Sequence, residues 1–190
     1  YKIPDGKGLC VNVQSELTAY NFAGDYTAWF YNGENHNIGP EKLTETDGTR
    51  LPVMTVKAGD KHYMAIHEAC LETGAPLVLQ SKGGESLFSV ASKPTSLSPG
   101  YTSAWRVVMY GVTPGVLTDS HLLELLNPDP DPRYDFSWVK PGLAVWDWRI
   151  NGAVWNGFTY GMSYPSWVRM VDFAAEQGFK YLVLDANWYG

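Results

Sequence analysis

Through residue 126 the chain alternates short apolar runs with breaks of Gly, Ser, Pro and Asp, a pattern of short strands joined by turns. Residues 9–13 (LCVNV), 52–56, 62–71 (HYMAIHEACL), 77–80, 87–90 and 105–111 read as strands. A Gly-Asp turn lies in 57–61, so the runs on either side of it predict a hairpin. This spacing suggests an antiparallel sandwich. Residues 118–126 (TDSHLLELL) open on a possible N-cap threonine and repeat apolar residues at helical intervals, which predicts a short helix.

The pattern changes at 127–132, NPDPDP. Alternating prolines neither continue a helix nor enter a central strand, so this stretch reads as a domain boundary. Beyond it, 138–148 (WVKPGLAVWDW) reads as a strand and 181–184 as a second one. Residues 150–161 between them read as a Gly-, Asn- and aromatic-rich loop. A helix then follows: Ser163 can cap it, Pro165 fits its first turn, and Gly178 ends it. Trp167, Met170, Val171, Ala174 and Ala175 are spaced as its core-facing stripe. Both strands finish on acids and tryptophans: Trp146, Asp147 and Trp148 on the first, Asp185, Asn187 and Trp188 after the second. That arrangement suits the opening β-α-β of a (β/α)8 barrel, whose active site gathers at the C-terminal ends of its strands. Eight strands close such a barrel, so the chain reads as an internal fragment: a β domain over 1–126, a Pro-rich linker over 127–140, and a truncated barrel over 141–190.

Composition narrows the partners. Apolar residues make up 45% of the chain, enough for a real core. A net charge of −6 with scattered Lys and Arg excludes nucleic acid as the expected partner. Aromatic residues reach 14%, with eight Trp and twelve Tyr, which fits either sugar-stacking surfaces or a Trp-rich β core. No run is long and apolar enough to span a membrane. The first residue is Tyr1, and the expectation is that an N-terminal segment, with any signal peptide, has been lost. Cys10 and Cys70 are the only cysteines; a disulfide between them and a buried free thiol at Cys70 are both open. Asp129, Asp131 and Asp135 lack the Gly and distal Glu of an EF-hand loop and read as a solvated linker.

Single residues carry the candidate chemistry. Glu68 stands in an apolar strand, where an ionised carboxylate is costly unless it is paired, metal-bound or facing water. His67 beside it points to the opposite face. Asp147 and Asp185 sit at neighbouring strand ends, where they either contact a substrate or bond loop amides. Trp146 and Trp148 share the face opposite Asp147 if the strand continues that far. Arg106, in a strand, is expected to pair with a carboxylate between sheets.

Several blocks, in order, resemble glycoside hydrolase family 97, the α-glucosidases and α-galactosidases typified by periplasmic proteins of gut Bacteroidetes. YMAIHEACL (63–71) is similar to the family's Glu-Ala strand and TSAWRVV (102–108) to its Trp-Arg strand. Residues 125–127 precede its domain boundary, SWVKPGLAVWDW (137–148) is the most specific match, and 181–189 follows as the second barrel strand. The resemblance covers nearly the whole chain. One departure is the ETGAP stretch (72–76), where the family often has an acidic residue followed by Tyr-Pro-Gly.

The resemblance implies the later part of an antiparallel β-super-sandwich of the galactose mutarotase type, then the first β-α-β of the (β/α)8 barrel. It implies an exo-acting hydrolase of α-glycosidic bonds, assisted by calcium, periplasmic or secreted. Its catalytic carboxylates are expected beyond Gly190, so the chain alone is expected to be inactive. Glu68 is matched to a calcium ligand. Trp146, Asp147, Trp148, Asp185 and Trp188 are the candidate contacts to an oligosaccharide or α-glycoside. The competing readings are a non-catalytic carbohydrate-binding module of the mutarotase-like type and a Trp-rich interaction domain.

Overall fold

The computed structural model describes residues 1–190 except 5, 7–10, 14, 32, 34, 35, 73, 92–94, 187 and 190, with 11–13, 95 and 96 described by backbone alone. The chain divides into two compact units, Tyr1–Asp129 and Pro130–Gly190. The division falls inside the NPDPDP run.

The first unit is mainly antiparallel β. In chain order its strands are β1 (Val11–Val13), β2 (Ala19–Asn21), β3 (Thr27–Tyr31), β4 (Ile38–Lys42), β5 (Asp47–Lys57), β6 (Tyr63–Ala69), β7 (Leu79–Lys82), β8 (Leu87–Val90), β9 (Thr95–Leu97) and β10 (Trp105–Gly111). Among the described residues, eight of them form one sheet, ordered β10-β6-β5-β7-β8-β2, with β3 on β5 and β4 on β3; β1 and β9 pair separately. The expected hairpin is the β5–β6 pair, closed by the Ala58 amide donating to the His62 carbonyl at 2.8 Å. The sandwich expectation takes the form of a single sheet that curls on itself. Phe30 of β3 and Phe88 of β8 thus come within 5.7 Å, centroid to centroid, though their strands are not neighbours.

Alternation builds the core. Ala28 and Phe30, Met54 and Val56, Leu79, Phe88 and Val90 line the inside of the curl, together with Ile66 and Leu77. Full burial of each large side chain stabilises the fold by roughly 1.5–3 kcal/mol. The other face of β6 and β10 carries Ala65, Ala69, Val107 and Met109, covered by Leu117, Leu122, Leu123 and Leu126. These leucines belong to or flank α1 (Pro114–Thr118) and α2 (Leu122–Leu125). The single helix expected over 118–126 is therefore two short ones, and Thr118 ends the first rather than capping the second. Pro114 starts α1 because its fixed φ suits a first turn. Gly111 lets α1 close in: a Cβ there would meet Val116 Cβ at 2.8 Å.

Three further strands of the sheet, β2, β3 and β4, escaped the pattern, as did β9. β4 (IGPEK) is polar and holds a proline, consistent with its single described pairing, to β3.

The second unit holds β11 (Ala144–Trp146), α3 (Asp147–Ile150), β12 (Val154–Trp155), β13 (Phe158–Thr159), α4 (Tyr164–Gln177) and β14 (Tyr181–Val183). β11 and β14 are parallel and in register, Val145 opposite Leu182, with α4 between them in the chain. The strand expected from residue 138 is confined to three residues, since Pro141 offers no N–H and 137–138 turn. The expected loop over 150–161 contains the β12–β13 hairpin. Its central residues, Asn156 and Gly157, have φ of 49° and 75°, the positive values a two-residue type I′ turn requires.

α4 begins after Ser163 and ends at Gly178 in the left-handed region, φ 71°. The Ser163 side chain makes no cap bond; its hydroxyl meets that of Ser166 at 3.2 Å. The buried stripe is Ser166, Met170 and Ala174, whereas Val171 and Ala175 face outward. The expected stripe was rotated because it followed apolar residues, while the helix turns the small Ser166 inward.

Candidate functional site

In the first unit, β6 places Met64, Ile66 and Glu68 on one face, and Ala65, His67 and Ala69 on the other. Glu68 thus shares the face that lines the curl, at the end of the strand. The strand stops there because Cys70 turns into the left-handed region, φ 54°, and its amide donates to Asn127 Oδ1 at 2.9 Å. Arg106 of β10 is the direct cross-strand partner of Glu68. Its Nη1 donates to Glu68 Oε2 at 2.7 Å, and the Leu77 amide donates to the same oxygen at 2.9 Å. Arg106 also donates Nε and Nη2 to the two oxygens of Glu16, at 2.9 and 2.6 Å. Its Nη2 reaches the Ala75 carbonyl at 3.4 Å as well. The stretch that departs from the family pattern therefore leads into backbone that grips this pair.

The side chains of Glu16, Glu68 and Arg106 are 16%, 10% and 14% exposed, so little water screens them. The Arg106 fork holds the Glu16 carboxyl below the usual glutamate range. The same bond raises the Arg106 guanidinium. The Tyr20 hydroxyl is buried without a partner among the described residues, and burial pushes it up. A carboxylate held through one oxygen, with no donor on the other among the described residues, suits one ligand position of a hard, oxygen-seeking cation. Among the described residues no three His, Cys, Asp or Glu side chains cluster as a metal cage.

In the second unit the acids at the strand ends are bonded to their own scaffold. β11 ends at Trp146, and Asp147 opens α3, so strand parity stops short of Asp147 and Trp148. Asp147 is 1% exposed. Its Oδ2 accepts the Trp167 indole N–H at 2.8 Å and its Oδ1 the Asp185 amide at 3.0 Å. Asp185 accepts the Trp146 indole N–H at 2.9 Å and the Ala186 amide at 2.7 Å. Arg149 lies over the Trp146 ring, 5.0 Å from its centroid. Trp148 and Trp188, by contrast, are about half exposed, with Tyr189 edge-on to the Trp188 ring at 5.1 Å between centroids. Flat exposed indoles are suited to stacking on the apolar faces of pyranose rings.

The remaining candidates resolve simply. Arg106 pairs with carboxylates as expected, but not between sheets: Glu68 is on the neighbouring strand of the same sheet, and Glu16 is on no strand. It lies in an irregular stretch before β2, 90 residues from Arg106 in sequence. His67 Nδ1 is buried without a partner among the described residues. Cys70 lies just past β6 rather than within it and is a free thiol; Cys10, and with it the pairing of the two, lies outside the described residues, as do residue 9 of the first expected strand and Asn187. Asp131 is bonded by Arg133, and Asp135 by the Ser137 amide, within the linker. No helix among the described residues is long and apolar enough to cross a membrane.

The family model described as glycosyl-hydrolase 97 N-terminal matches residues 1–128. A retaining α-galactosidase of Bacteroides thetaiotaomicron is 27% identical over 195 residues, covering 87% of this chain. A probable retaining α-galactosidase of Streptomyces bingchenggensis is 28% identical over 208 residues, covering all of it. The chain spans 29% of the length of each of these relatives. Among solved structures, a family 97 enzyme from Pseudoalteromonas sp. strain K8 in complex with acarbose aligns over 100% of this chain and 31% of its own. Its TM-score is 0.74 at 24% identity, a likeness of fold. A variant of that enzyme in complex with panose aligns equally well.

Proposed function

Because the chain belongs to glycoside hydrolase family 97 through its N-terminal domain, we propose that it is part of an exo-acting α-glycosidase. The family match over residues 1–128 is the observation that carries this reading. In it, the first unit is the later part of the β-super-sandwich, and β11, α4 and β14 are the first β-α-β of the (β/α)8 barrel. The parallel register of β11 and β14 supports the barrel, since a sandwich-type carbohydrate module needs no such unit. The reacting carboxylates lie outside residues 1–190, and the enzyme works in the periplasm or outside the cell.

Glu68 contributes one calcium ligand. What supports this is a strand-end carboxylate fixed through Oε2 alone. Bound calcium supplies a fixed positive charge near the reacting sugar; Glu68 holds its place. In the second unit, Trp146, Trp148 and Trp188 are the proposed sugar contacts. Asp147 and Asp185 act on the substrate only by fixing Trp167 and Trp146.

One relative carries the name retaining α-galactosidase and the other probable retaining α-galactosidase, which makes an α-galactoside the first substrate to assay. The complete enzyme is expected to release p-nitrophenol from the α-galactoside or α-glucoside in the presence of calcium and to lose this activity with a chelator. Residues 1–190 alone are expected to turn over neither substrate. Turnover by the isolated chain would place the reacting carboxylates inside it and reject the assignment.

A further inference from the structure

The guanidinium between the two glutamates is arranged unevenly. Arg106 faces Glu68 directly across the β6–β10 ladder, yet gives it a single bond from Nη1. Its paired donors, Nε and Nη2, go to Glu16 instead, at 2.9 and 2.6 Å. A side-on fork is the strongest geometry arginine offers a carboxylate. Were Arg106 there only to neutralise Glu68, the fork would be turned to it. Spent on Glu16, the fork fixes the guanidinium plane, and the fixed Nη1 then meets the Leu77 amide on Oε2.

Two donors from different elements thus set the Glu68 carboxylate and leave Oε1 without a donor among the described residues. All three side chains are at most 16% exposed, so little water screens the charges of the trio. The Tyr20 hydroxyl, without a partner among the described residues, lies within the field of the same three groups.

We infer that Glu16 is a positioning residue for the cation: by clamping the Arg106 fork it fixes the Glu68 carboxylate so that Oε1 is presented to calcium. The inference rests on the proposal that Glu68 is a calcium ligand, and its test separates the two. Calcium isotherms are measured by titration calorimetry on the complete enzyme and on its Glu68→Gln, Glu16→Gln, Glu16→Asp and Arg106→Lys variants. Glu68→Gln is expected to abolish calcium binding. Glu16→Gln and Arg106→Lys are expected to weaken it about tenfold, as loss of a group that orients a metal ligand does. Glu16→Asp, which keeps the charge, is expected to fall between wild type and Glu16→Gln. At saturating calcium the KM of Glu16→Gln should match wild type, since the sugar contacts are untouched.

Weakened binding in Glu68→Gln with unchanged affinity in Glu16→Gln overturns the inference and leaves the calcium reading standing. Unchanged affinity in Glu68→Gln overturns that reading, and the inference with it. Melting in chelator identifies a merely structural role: if Glu16→Gln and Glu16→Asp lower the melting temperature while calcium affinity holds, Glu16 is a structural clamp and the inference fails.

Discussion

The two units treat their aromatic side chains in opposite ways. In the first, Phe30 and Phe88 are 1% and 0% exposed at the centre of a cluster fed by five strands of the sheet. In the second, Trp138, Trp155 and Tyr164 are 75%, 67% and 74% exposed. Among the described residues the buried side chains there are Met170, Ala174, Asp147 and Ser166, two of them polar. The first unit is held by apolar burial, which is strong and indifferent to direction. The second is held largely by directed bonds: Trp167 and the Asp185 amide to Asp147, and the Gly161 amide to Ser166. Directed bonds orient side chains well but add little net stability each, about 1 kcal/mol.

The comparison can be broken most easily in the first core. Phe88→Ala should cost about 3–5 kcal/mol in urea unfolding of the first unit. A cost below about 1 kcal/mol would mean that the curl is not its main support. In the second unit, Asp147→Ala removes the acceptor of two donors at once and should cost about 2–3 kcal/mol, read from tryptophan fluorescence during denaturation. Asp147→Asn should recover only part of this, because it keeps a single acceptor oxygen. Gly178→Ala puts a side chain on a left-handed residue and should cost about 1 kcal/mol, with Gly178→Asn costing less.

A smaller effect is expected from pH. The folded Glu16 carboxyl titrates below its ordinary value of 4.5 because Arg106 holds it charged. Its contribution is complete above the unfolded value and is lost as pH falls through the lowered folded value. Melting curves should therefore show wild type losing ground over Glu16→Gln only in acid, with the two running parallel near neutral pH. Smallest of all, Asp131→Asn should leave the melting temperature unchanged within error, since its ion pair with Arg133 stands in water.

Much of this contrast is legible from short-range pattern and some of it is not. The β5–β6 hairpin and the limits of α4 follow from the Gly-Asp turn, Pro165 and Gly178, because those residues act on the nearest backbone. Glu68 and Arg106 each stand out as charges in apolar strands. Their pairing depends on the β6–β10 register, which no local feature fixes. Glu16 belongs to no periodic run, and only the tertiary fold brings it to Arg106. For Asp147 the sequence leaves a substrate contact and a bond to loop amides both open. Counting faces along a strand fails once the backbone turns helical at that very residue.

β5 is a single strand with two sets of neighbours. Residues 47–50 pair with β7, while 54–57 lie between β3 and β6. Neither half of the curl can therefore open alone without loosening the strand that anchors the other. The amides of Met54 and Val56 should be among the last to exchange with deuterium, released only when the first unit opens as a whole. The order of assembly is constrained in the same way. The β5–β6 hairpin can form early from nearby residues, but β10 must cross 38 residues of chain before Arg106 meets Glu68. In refolding, the charged clamp should thus be among the later features to appear, after the β5–β6 hairpin it closes over has formed.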